Sequence, residues 1–203
     1  IVISEKKEYE FMNQNILVNQ IVNFKGKKEK IIKEVLLVLA GVVFLTLTAQ
    51  VRIYLPFTPV PITGQTFGIL LIGLVYGRKL GMSVVGTYIA AGTLGLPLFT
   101  GAGSGIVFFK PSGGYIIGYF FAVMICGYLA EKGWTKSYIK TLFVILLAEI
   151  AIYFFGLVQL SFFVKKNLFL LGLYPFIIGD IIKVLLLTLI LPGAWKVLKI
   201  SKK

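Results

Sequence analysis

Long apolar runs broken by short basic clusters are the feature that most limits what this chain can become. A helix crossing a bilayer needs roughly 20 predominantly apolar residues. Six stretches read as candidates: Val35–Val51, Gln65–Gly77, Leu80–Leu96, Gly113–Ala130, Thr141–Ser161 and Tyr174–Trp195. The second is short and is expected to be tilted or partly re-entrant. Of the 203 residues, 58% are hydrophobic, and one core of this size cannot hide so much apolar surface from water. Most of it must face lipid, so the expected class is all-α, a polytopic membrane protein of six transmembrane helices.

The basic residues orient these spans. Lys25, Lys27, Lys28, Lys30 and Lys33 precede the first, and Arg78 and Lys79 lie between the second and third. Lys132, Lys136 and Lys140 separate the fourth from the fifth, and Lys196, Lys199, Lys202 and Lys203 follow the sixth. On six alternating spans all of these share one side, leaving Arg52, Lys110, Lys165 and Lys166 on the other. The positive-inside rule then places both termini in the cytoplasm. The same placement accounts for the net charge of +13 without a nucleic-acid partner, because the cations flank apolar runs and do not cover a polar face.

Residues 31–203 are read as the six-helix membrane domain. Residues 1–30 are polar and lack the apolar stretch and cleavage site of a secretory signal. They are expected to be a cytoplasmic extension, with Met12 a candidate start, or an artefact of the assigned gene start. With no histidine in the chain, His-ligated metals, Ser-His-Asp triads and histidine proton relays are excluded. No paired catalytic carboxylates and no nucleotide-binding motif occur, so enzymatic activity and ATP hydrolysis are not expected. The single cysteine, Cys126, cannot form a disulfide within the chain.

Ionisable groups inside spans cost about 2.5–3.5 kcal/mol each on insertion scales and need a partner or a purpose. Asp180 and Lys183 stand three residues apart on one face of the last span, where a carboxylate and an ammonium can meet. They either neutralise each other and fix packing, or engage a solute arriving from outside. Glu149, with Tyr153 one turn away, is a ligand group, a partner for Lys183, or a protonated acid bonded to a neighbouring helix. The outward loop 55–65, with Pro56, Pro59 and Pro61, is stiff and extended. It serves as a rigid connector or as a lid over a pocket. Residues 100–105, around Ser104, are glycine-rich and permit close backbone approach. Pro111-Ser112-Gly113-Gly114-Tyr115 makes a tight opening that aims Tyr115 toward the interior, although paired glycines also serve plain helix packing.

Four motifs in order resemble the BioY family, the biotin-specific substrate-binding (S) components of energy-coupling-factor (ECF) transporters. They are Pro-Phe-Thr-Pro-Val-Pro-Ile-Thr-x-Gln at 56–65, Gly-Leu-Pro-Leu-Phe-Thr-Gly at 95–101, Pro-Ser-Gly-Gly-Tyr at 111–115 and Gly-Asp-x-x-Lys at 179–183. The resemblance spans about residues 35–195. It implies an S-component bundle in the cell membrane, with a biotin pocket opening outward and no cofactor of its own. Two ABC-type ATPases would use the ATP, and a membrane coupling protein would join them to this subunit, which by the same resemblance would topple in the bilayer to deliver its ligand. Asp180, Lys183 and Tyr115 match the family's pocket residues, and Gln65 and Ser104 fall where the pocket closes. Biotin's carboxylate would meet Lys183 and its ureido ring Asp180, with Asp180 merely orienting Lys183 as the alternative.

The chain departs from the family at three places. Ile116 stands where some relatives carry a base, so the carboxylate would rely on Lys183 or on Lys110 at the rim. Glu149 has no counterpart role to carry over. The small-residue surface by which S components meet the coupling protein is only approximated by Ala40, Gly41 and Ala49, because Phe44 interrupts it. A self-sufficient carrier of a small carboxylate vitamin, with Glu149 or Asp180 as its proton site, is the competing reading.

Overall fold

The computed structural model describes residues 12, 14–22 and 26–201. Lys25, Lys202 and Lys203, and most of the first 13 residues of the 1–30 extension, lie outside the described residues. The chain is mainly helical. A short helix α1 (Leu17–Ile21) is followed by α2 (Lys27–Gln50), α3 (Gln65–Thr93), α4 (Gly113–Glu131), α5 (Tyr138–Leu160), the short α6 (Leu168–Gly172) and α7 (Tyr174–Ser201). Strands β1 (Arg52–Ile53) and β2 (Ile62–Thr63) pair antiparallel, with Arg52 opposite Thr63. Among the described residues, five helices are long and apolar enough to cross a membrane. This is a multi-pass architecture.

The helices extend past the apolar runs that mark them in sequence. α2 begins at Lys27, eight positions before Val35, because Glu29–Lys33 and Lys30–Glu34 pair one turn apart and carry the helix through charged residues. α7 runs on to Ser201 through Pro192. Large apolar side chains stay exposed along the outer faces, among them Leu36, Leu39, Val43 and Leu47 on α2 and Leu185, Leu189 and Ile190 on α7. Such faces suit lipid and not water.

The second and third expected spans form a single helical element, α3, interrupted at Gly77. Gly77 has φ 77° and ψ −179°, which a residue with a Cβ adopts only under strain. The interruption turns the chain back on itself. Gln65 Nε2 donates to Tyr88 Oη at 2.6 Å, although at a rise of 1.5 Å per residue a straight helix would hold them ~35 Å apart. Nearer the turn, a Cβ on Gly81 would lie 3.6 Å from Gly73 Cα. Gly127 of α4 meets the backbone of Gly77 and Arg78 so closely that no side chain fits between them. Upstream, Ile16, Leu17 and Val18 are buried, and Ile16 Cδ1 sits against Gly77.

Arg78, Lys132, Lys136, Lys140 and Lys196 gather with Tyr128, Trp134, Tyr138 and Trp195 at one end of the bundle. Amphipathic rings with cations above them are typical of a membrane–water interface. On α2, Ala40 is exposed, but Gly41 lies against Val84 and Ala49 is fully buried. These three do not form one outward surface, which corrects the approximate docking face read from the sequence.

Candidate functional site

The loop between β1 and β2, the loop 96–112 and the first turns of α3, α4 and α7 converge at the other end, around a cavity. Proline shapes its outer wall. The Pro56–Pro61 segment is tied to α6 by Thr58 Oγ1, which donates to Leu171 O at 2.6 Å, and its Val60 is buried. Val60, Pro61 and Thr63 line the cavity. The segment is therefore a wall of the pocket as well as a connector.

Asp180 and Lys183 face this cavity from α7. Lys183 Nζ donates to Asp180 Oδ1 at 2.9 Å, and Tyr153 Oη of α5 donates to Asp180 Oδ2. Asp180 is 5% exposed, so both carboxylate oxygens are engaged in surroundings that exclude most water. The three-residue spacing on one helix makes the ion pair, and Tyr153 completes it from the neighbouring helix. Tyr115 lies beside them, its hydroxyl donating to Gly172 O at 2.6 Å and its ring edge-on to Tyr153 at 6.3 Å. It reaches this depth because Gly114 and Gly118 let α4 press onto α5. A Cβ on Gly118 would stand 2.8 Å from Ile152 Cα, and one on Gly114 would overlap the Phe155 carbonyl.

Gln65 is buried at the start of α3, where it donates to Tyr88 Oη and accepts from Thr100 Oγ1 at 3.1 Å. It both lines the cavity and joins the glycine-rich loop to the helix below. That loop is held in left-handed backbone at Gly101, Ala102 and Gly105. Ser104 does not line the cavity with its side chain. It acts through its carbonyl, which accepts from Lys110 Nζ. Lys110 also sits 5.5 Å above the Phe99 ring and faces the cavity. Among the described residues Lys110 pairs with no carboxylate.

Asp180, Lys183, Tyr115, Tyr153 and Gln65 are thus brought together. Glu149 does not line this cavity. It is buried one turn below Tyr153, with Oε1 unpartnered, and lines an adjoining groove between α5 and α7 that Tyr153 and Asp180 also line, together with Leu142, Leu146, Ile181 and Leu185. Sequence reasoning missed Tyr119, Thr66, Thr100 and Phe176, which also line the cavity. Tyr119 was within reach of the pattern, since it follows Tyr115 by four residues and shares its helix face. Phe176 had no signal, because one more aromatic in an apolar span looks like any other.

The lining holds two cations, Lys110 and Lys183, against one carboxylate, Asp180. Hydroxyls and amides surround them, and Phe99, Ile116, Ile152 and Phe176 supply apolar wall. Such a site suits a small monoanion with an apolar body and hydrogen-bonding groups at both ends.

Comparison with known proteins agrees with this chemistry. A probable biotin transporter BioY of Pyrococcus horikoshii is 39% identical over 153 residues, covering 74% of this chain and 89% of the relative. The biotin transporter BioY of Thermotoga maritima is 33% identical over 157 residues, covering 76% and 92%. The crystal structure of the S-component for biotin from an ECF-type ABC transporter superposes with a TM-score of 0.74 at 31% identity, covering 85% of this chain and 95% of that one. These relatives are transporters, not enzymes. The BioY family profile matches residues 14–200, beginning upstream of the 35–195 stretch that carries the four motifs. The chain belongs to the BioY family.

Proposed function

We propose that this chain binds biotin at the outer face of the cytoplasmic membrane as the S component of an ECF transporter. In this reading it crosses the membrane six times with both termini inside. The fold-back of α3 at Gly77 supports two crossings in that element, and the gathering of lysines and aromatic rings at one end supports the orientation. A coupling membrane protein and two ABC-type ATPases energise uptake.

The observation that carries the assignment is the charge balance of the cavity. Biotin brings one carboxylate, two ureido N–H donors with a carbonyl between them, and an apolar ring and chain. Asp180 and Lys183 together offer an acceptor and a donor, which is the complement of a ureido group. Lys110, with no carboxylate partner among the described residues, receives the carboxylate. Assigning the carboxylate to Lys183 would instead put a second anion on an ammonium already bonded to Asp180. Tyr153 fixes Asp180, Tyr115 fixes the chain ahead of α7, and Gln65 with Thr100 closes the rim.

Glu149, with an unpartnered oxygen near the ion pair, is the one feature favouring a proton-coupled carrier. Uptake of labelled biotin into lipid vesicles separates the two readings. Accumulation is expected only with the coupling module and ATP present. Accumulation driven by a pH gradient alone would establish the carrier, and failure of the purified chain to bind biotin would refute the S-component reading.

A further inference from the structure

A second cavity opens at the far end of α7, about 12 residues and ~18 Å along the helix from Lys183. Its wall includes Lys136, Lys196 and Lys199, with Trp195, Pro192 and Asn15. Nothing in biotin recognition uses it. Among the described residues, no carboxylate pairs with any of the three lysines. Two of them, Lys136 and Lys196, are instead held by neutral groups. Lys136 Nζ donates to Asn15 Oδ1 and lies 4.7 Å above the Trp195 ring. Lys196 Nζ donates to Tyr138 Oη at 3.2 Å and stands 4.9 Å from that ring.

The frame around them is buried and hydrogen-bonded. Asn15 is 3% exposed and its Nδ2 donates to Glu131 O at 3.0 Å, while Trp195 Nε1 donates to the fully buried Thr135 hydroxyl at 3.0 Å. Burial first, and the nearby Lys199 second, hold Lys136 below the ordinary lysine value, as expected of cations crowded without a counter-ion. The position also matters. α7 changes here from the apolar run 184–191 to Trp195 and Lys196, the sequence of groups found where a helix leaves the hydrocarbon. The exposed faces of Leu189, Ile190 and Val197 lead along α7 beside the cavity and would accommodate acyl chains.

We propose that this cavity binds the phosphate of an anionic phospholipid headgroup, with Lys136, Lys196 and Lys199 as its cations and the apolar face of α7 beside the lipid tails. Basic pockets between helices at a membrane surface suit such headgroups, and the adjoining apolar face favours a lipid over a soluble phosphate. The site is independent of the biotin cavity, so the two readings fail separately.

The test uses the full chain in neutral detergent with defined added lipid, the bound fraction being read by native mass spectrometry. Phosphatidylglycerol is expected to bind at least tenfold more tightly than phosphatidylcholine. Each removed lysine should weaken it about fivefold, so Lys136→Gln/Lys199→Gln together should weaken it about 25-fold. Lys132→Gln, at the same end but outside the cavity, should leave binding unchanged, and biotin affinity should be retained in all three proteins as proof of folding. Equal binding of the two lipids, or unchanged binding in the double variant, overturns the proposal. Displacement by inorganic phosphate at the same concentration would assign the lysines to free phosphate and remove the lipid. Displacement by an acidic peptide, with no lipid bound, would assign the cavity to a protein partner.

Discussion

Replacing Lys110 with methionine separates the two ends of biotin. The substitution keeps an unbranched stem near Phe99 and removes only the charge and its donors. Lys110 is half-buried, bonded to the Ser104 carbonyl and set over the Phe99 ring. A hydrogen bond to a charged group contributes about 1.5–3 kcal/mol, which is about tenfold to about 150-fold in Kd. The assay is calorimetric titration of the detergent-purified protein with biotin and with its neutral primary amide. The wild-type protein should prefer biotin, and K110M should lose most of that preference while binding the amide almost as before. An unchanged ratio of the two ligands would refute the carboxylate assignment to Lys110, and the same ratio collapsing in Lys183→Met would transfer it to Lys183.

Two further substitutions test how the site is held. Gly118→Ala places a methyl carbon 2.8 Å from Ile152 Cα and 3.0 Å from Ile152 O, contacts that backbone cannot easily yield. A loss of about 1–3 kcal/mol is expected, read as a lower thermal midpoint with weaker biotin binding as α4 and α5 separate. Tyr115→Phe removes the donor to Gly172 O and leaves a buried carbonyl unpaired, at a cost of about 1–3 kcal/mol. A thermal midpoint equal to that of the wild type would show that water replaces the hydroxyl.

Much of this architecture is legible in the sequence because lipid makes it so. An apolar run must become a helix, and a charge inside it must find a partner, so the three-residue spacing of Asp180 and Lys183 is enough to announce their ion pair. The prolines between 56 and 61 likewise announce a stiff segment, but not that Thr58 ties it to Leu171. Contacts between distant parts of the chain are less visible. Tyr153 shares a face of α5 with Glu149 one turn away, and nothing in that spacing shows that its hydroxyl reaches Asp180 on α7. The three roles open to Glu149 stay unresolved in the sequence for the same reason: helix periodicity gives a side chain's angle about its own axis, not which neighbour occupies that angle. Gly77 is intermediate. The basic pair Arg78–Lys79 marks the break, but the left-handed φ that turns the chain there is invisible in a protein with 22 glycines.

Thermodynamics separates a structural role for Asp180 and Lys183 from a ligand-binding one. A buried ion pair seldom repays its desolvation, so exchanging both members for apolar residues is often neutral or stabilising by about 1–4 kcal/mol, whereas removing one member costs about 3–5 kcal/mol. Here the pair is well buried, with side-chain exposures of 8% for Asp180 and 14% for Lys183, and Tyr153 adds a third member that would lose its acceptor. Asp180→Ala should therefore lower the thermal midpoint sharply. Asp180→Leu/Lys183→Met/Tyr153→Phe, which removes the whole polar group, should restore or raise it while abolishing biotin binding. That combination of greater stability with lost binding is what a recognition site predicts, because the polar cluster then persists only for what the ligand gains from it. If the triple variant were as unstable as the single one, the cluster would be holding α5 against α7, and the site would have to be sought among Lys110, Gln65 and Thr100 instead.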